Sequence, residues 1–91
     1  MSKPHRLHLA GPASRAIAEE LPEAVAAAVV EFVTGPLLDN PRQVGRELRE
    51  PLRGTFVARR GTYRVLFTID ERRRLVMVKV VEHRADAYRP R

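Results

Sequence analysis

The chain has 91 residues, with 17 Lys and Arg, 11 Asp and Glu and no Cys, for a formal net charge of +6. A length of this order holds one core, so residues 1–91 are expected to form one domain. The lack of Cys excludes disulfides, thiolate zinc sites and a catalytic thiol. The longest apolar run, Ala24–Val30, is far shorter than the roughly 20 residues of a membrane span. Lys3, His5, Arg6 and His8 interrupt any leader-like run. The class expected is a soluble cytoplasmic domain.

In chain order, His5–Ala10 alternates, with Leu7 and Leu9 on one side and Arg6 and His8 on the other, and predicts a strand. Ser14–Glu20 is a short helix candidate. A second helix starts at Pro22, where Leu21, Val25, Ala28, Val29, Phe32 and Val33 form one apolar stripe. Gly35-Pro36 ends or kinks it, and Asn40-Pro41 stops the chain from continuing as helix. Pro41–Gly54 reads as a connecting loop with one helical turn around residues 46–49.

The remainder is strand-rich. Thr55–Arg60 predicts a strand and Gly61-Thr62 a tight turn. Tyr63, Val65, Phe67 and Ile69 then alternate with Arg64, Leu66 and Thr68. A turn at residues 70–73 leads to Leu75–Glu82, with Val76, Val78 and Val80 assigned to one face and Leu75, Met77, Lys79 and Val81 to the other. The expected fold is α+β, a helical hairpin packed on a small antiparallel sheet in the order β-α-α-β-β-β.

The charge is local. Residues 1–50 sum to −1 and residues 51–91 to +7, and 15 of the 17 basic residues are Arg. Arg grips phosphate with a planar fork, so the strand half is expected to meet an anionic partner. The sequence offers no P-loop, no GxGxxG, no GxSxG and no HExxH, so neither a metal nor another cofactor is expected. The second half does carry Arg59, Arg60, Arg64, Lys79, Glu82, His83, Arg84 and Tyr88. One outward Arg on a strand is ordinarily solvated, and Glu82 alone reads as a rim ion pair of little energetic weight. Together, cations and proton carriers suit RNA cleavage through its own 2′-hydroxyl, in which a base takes the 2′ proton, cations stabilise the phosphorane and an acid protonates the leaving oxygen.

The stretch Arg60-Gly61-Thr62-Tyr63-Arg64-Val65-Leu66-Phe67-Thr68-Ile69-Asp70 and the ending His83-Arg84-Ala85-Asp86-Ala87-Tyr88 resemble the signature segments of the RelE/ParE toxin superfamily. Residues 35–41 and 48–54 fit its RelE branch. The resemblance implies a toxin of a type II toxin–antitoxin system that cleaves mRNA in the ribosomal A site without a metal. It also implies an acidic, RelB-like antitoxin as partner in a hetero-oligomer. Carried over by position, Arg64 binds the scissile phosphate, Arg84 is the general acid or transition-state stabiliser, and Tyr88 stacks on the RNA. His83 is then a base or orienting group. RelE members carry lysines on the strand before this segment, but Thr55–Arg60 has none. Arg53, Arg59, Arg60 and Lys79 are therefore assigned to phosphate binding. A guanidinium is a poor base, so that role falls to His83 first and Tyr88 second. The rival readings are a ParE-like, non-catalytic inhibitor of DNA gyrase and an inactive toxin relic.

Overall fold

The computed structural model describes residues 3–84. The chain opens with strand β1 (Arg6–Leu9) and helix α1 (Gly11–Arg15), with Pro12 in the first turn where its missing N–H leaves nothing unsatisfied. The helix widens over Ala16–Glu20 into π geometry, closed by the Leu21 N–H donating to the Ala16 carbonyl at 2.9 Å. Pro22 turns the chain into α2 (Glu23–Thr34), which buries Val29, Phe32 and Val33. The expected helical hairpin is therefore present.

Two short helices follow, α3 (Pro36–Asp39) and α4 (Pro41–Val44). Pro41 starts a helix rather than only stopping one, because proline's fixed φ suits the first helical position. The helical turn expected near residues 46–49 instead lies at 41–44, and Arg46–Glu47 forms a short strand, β2. Three longer strands, β3 (Phe56–Arg60), β4 (Tyr63–Asp70) and β5 (Leu75–His83), complete the chain.

The five strands are ordered β1-β5-β4-β3-β2. All neighbours are antiparallel except β1, which runs parallel to β5, with Leu7 opposite Val76 and Leu9 opposite Val78. The sheet is thus mostly antiparallel, with a fifth strand beyond the four expected. The helices cover one face. Val29, Phe32, Val33 and Leu37 pack with Phe56, Ala58, Tyr63, Val65, Phe67, Val76, Val78 and Val81. Phe56 stacks on Phe67 at 5.6 Å between ring centroids, and Phe32 meets Tyr63 edge-on at 6.5 Å. Among the described residues no helix is long and apolar enough to cross a membrane.

One irregularity changes the faces of β5. Phe67 pairs with Val78 but Leu66 pairs with Val80, so Lys79 is left over as a β-bulge. Beyond it the alternation resets. Val81 is buried against the helices and Val80 is only half-buried, the reverse of the expected assignment. A strict period of 2 cannot survive an inserted residue.

Candidate active site

The functional candidates converge where the β3–β4 turn meets the end of β5. Gly61 makes that turn with a φ of 57°, in the left-handed region where glycine carries no Cβ penalty. The turn is latched to the end of β5 by the Arg84 N–H, which donates to the Thr62 carbonyl at 2.5 Å. Around this latch lies a pocket of about 280 Å³ lined by residues including Arg59, Tyr63, Arg64, Glu82, His83 and Arg84.

Strand register decides which side each group takes. Arg59 is opposite Arg64, and Arg64 is opposite Glu82, so these three form one row across β3, β4 and β5. Arg64 is the neighbour in sequence of buried Tyr63, which places the row on the face away from the helices. Arg64 Nε donates to Glu82 Oε1 at 2.5 Å, with the two side chains 44% and 42% exposed. Directly opposed like charges weaken a sheet. The Arg59–Arg64 pair is such a conflict, and conflicts of this kind concentrate at functional sites.

His83 pairs with Tyr63, so it enters the pocket from the helix side of the sheet. Tyr63 is buried, and its hydroxyl donates to the Ala28 carbonyl at 3.4 Å. Burial pushes its pKa above the usual 10.0. Arg60 works against that rise and Glu31 adds to it.

Arg60 does not join Arg59 and Arg64. It pairs with Tyr63 across β3–β4, and its guanidinium lies 4.6 Å from the Phe32 ring centroid, a cation–π contact on the helix side. Arg53 is 75% exposed and paired with Glu50 at 3.8 Å. Lys79 is the exposed bulge residue, further back along β5. Neither Arg53 nor Lys79 lines the pocket. Tyr88 lies outside the described residues.

The sequence reads Glu82 as a rim ion pair, which it is with Arg64, but gives it no place opposite that residue. Counted back from the β4–β5 turn, a regular ladder puts Val81 opposite Arg64, and only the bulge at Lys79 brings Glu82 there. Among the described residues no group of three or more His, Asp or Glu is placed to hold a metal ion.

The family model for the ParE toxin of type II toxin–antitoxin systems matches residues 6–88, and the chain belongs to this RelE/ParE toxin superfamily. It is 46% identical to Toxin RelE of Mycobacterium tuberculosis over 90 residues, covering 98% of this chain and 93% of that protein. It is 53% identical to Toxin RelG of the same organism over 70 residues, covering 77% and 80%. The toxin–antitoxin complex RelBE2 from Mycobacterium tuberculosis contains a chain that superposes with a TM-score of 0.87 at 44% identity, covering 90% of this chain and all of that one. The isolated Escherichia coli RelE toxin shares the fold at a TM-score of 0.71 and 16% identity, over 87% of this chain and 83% of that one. The protein is thus a toxin of a type II toxin–antitoxin system with a RelE-like α+β fold.

Proposed function

We propose that the protein is a ribosome-dependent, metal-independent mRNA endonuclease, neutralised by an acidic RelB-like antitoxin. The observation that carries this reading is the row Arg59–Arg64–Glu82 at the mouth of a pocket that also holds His83 and Arg84. Two arginines in register on one face suit a phosphodiester, which accepts paired N–H donors. A pentavalent phosphorane carries more negative charge than the diester, so fixed cations favour it over the ground state.

In this reading Arg64 holds the scissile phosphate and Arg59 a second oxygen, and Arg84 stabilises the developing charge. His83, on the other side, orients the reacting nucleotide, and Tyr88 stacks on the RNA. Lys79 and Arg53 contact the RNA backbone outside the pocket. Arg60, turned toward Phe32, is left out. The solved complexes of the relatives pair RelE-type chains with RelB antitoxins, and the excess of +7 in residues 51–91 suits an acidic antitoxin segment that folds on binding.

The test is induction in bacteria with mapping of mRNA 5′ ends. New ends within translated codons are expected, absent for Arg64→Ala. Intact mRNA with an induced DNA-damage response would instead establish gyrase as the target, the reading that the ParE name of the family model favours. No growth defect would identify an inactive relic.

A further inference from the structure

We propose that Glu82 is the general base that activates the 2′-hydroxyl, an inference that rests on the endonuclease reading above. The pocket must supply a proton acceptor on the side where the phosphate sits. Its arginines cannot serve, since a guanidinium stays protonated. The Tyr63 hydroxyl is buried, held in its protonated form by that burial, and directed at Ala28 on α2. That leaves Glu82 and His83 among the described lining residues.

Register separates these two. His83 lies opposite Tyr63 and faces the helices, while Glu82 lies opposite Arg64 and shares the open face with the phosphate-gripping cations. The bulge at Lys79 produces this arrangement. Glu82 Oε1 accepts a hydrogen bond from Arg64 Nε at 2.5 Å, so the pair engages the Nε edge of the guanidinium and the Nη fork is the edge that suits a phosphate. A carboxylate has two oxygens and about four lone-pair sites, so holding Arg64 does not exhaust it. In a near-attack geometry the 2′-oxygen lies about 3–3.5 Å from phosphorus. With the phosphate on Arg64, we place that 2′-hydroxyl beside the carboxylate bonded to the same arginine. The charged and titratable groups around Glu82 are Arg64 on β4 and Arg59 beyond it on β3, both on its own face, with Arg84 two residues on and His83 next to it in sequence but turned to the helix face.

In the step itself, the 2′-O–H proton passes to a Glu82 carboxylate oxygen and the 2′-oxygen bonds to phosphorus. The P–O5′ bond breaks with its electron pair on O5′, whose charge Arg84 offsets while it takes a proton from solvent water. The products are a 2′,3′-cyclic phosphate and a 5′-hydroxyl. Glu82 then returns its proton to solvent, so protons balance and the sum is a transesterification.

The full chain is assayed in single turnover on purified ribosomes programmed with an mRNA, across pH. Glu82→Gln keeps the hydrogen bond to Arg64 and the β5 ladder but does not accept the proton. The expected result is a loss of about 10²–10⁴-fold in cleavage rate, half-saturation by ribosomes unchanged within about threefold, and loss of the acid limb of the rate–pH profile. Glu82→Asp is expected to restore that limb with a partial rate. Cleavage by Glu82→Gln within about threefold of wild type, or faster cleavage, would overturn the proposal, the latter by showing that Glu82 only competes with phosphate for Arg64. Loss of the acid limb in His83→Gln with its retention in Glu82→Gln would move the base to His83. Intact mRNA with the wild-type chain would remove the endonuclease reading and Glu82's role with it.

Discussion

Replacing Arg59 by Thr is predicted to stabilise the fold while weakening cleavage. Arg59 sits directly opposite Arg64 on exposed sheet surface, where facing Cβ atoms lie about 4.5–5.5 Å apart. At a head-to-head separation taken as roughly 7 Å, Coulomb repulsion in near-aqueous surroundings is about 0.5 kcal/mol. Glu82, bonded to Arg64, offsets part of this, and Thr adds a small gain as a good strand residue. For a domain of this size, about 0.5 kcal/mol corresponds to a rise of roughly 2–4 °C in Tm. Thermal melts in low salt and in 1 M NaCl separate the causes, since screening shortens the Debye length to about 3 Å at 1 M. The gain shrinks in high salt if repulsion is responsible, and Arg59→Lys, which keeps the charge, shows none. An unchanged or lowered Tm for Arg59→Thr, or a gain indifferent to salt, would refute the view that this row stores a like-charge conflict.

Three further outcomes follow from other contacts. Gly45→Ala places a Cβ 2.5 Å from Phe67 Cζ and 3.3 Å from the Pro41 carbonyl oxygen. Gly45 has an ordinary extended backbone and Phe67 is fully buried, so the loss is steric overpacking of about 1–3 kcal/mol, read as a lower midpoint in urea. Glu71 accepts hydrogen bonds from Arg42 at 2.8 Å and His5 at 3.1 Å, and these two, Arg42 first, hold its carboxyl below the ordinary 4.5. A depressed folded pKa stabilises above the unfolded value and is lost as pH falls through the folded one. Glu71→Gln should therefore melt below wild type at pH 6, by the modest amount of a half-exposed pair, with the two curves converging as pH falls below the ordinary carboxyl value and through the lowered one. Arg64→Ala should abolish cleavage and leave the melt within a few degrees of wild type, since Arg64 is exposed and outside the core.

Much of the fold was legible because its elements repeat one period without interruption. The faces of β1 and β4 follow from strict alternation, and α2 from its apolar stripe. The failures have local causes. Strand β2 is two exposed polar residues with no pattern to read. The pairing of β1 with β5 is a long crossover marked by no turn sequence. Arg64 was readable as an outward cation beside an inward Tyr63. The separation of Arg59 from Arg60 follows from the same alternation, yet both are basic and adjacent, so composition alone groups them. Glu82 was hidden because nothing in Val78-Lys79-Val80 announces a bulge, and one extra residue there decides which of Val81 and Glu82 faces Arg64.

The most direct measurement uses purified protein and ribosomes programmed with an mRNA that carries a single 2′-deoxy nucleotide at the cleaved position. The unmodified message is expected to be cut to a 2′,3′-cyclic phosphate and a 5′-hydroxyl, and the substituted message to bind equally well and stay intact. Equal cleavage of both messages would show that the attacking oxygen does not come from the RNA, and would contradict the chemistry assigned to Arg64 and its neighbours.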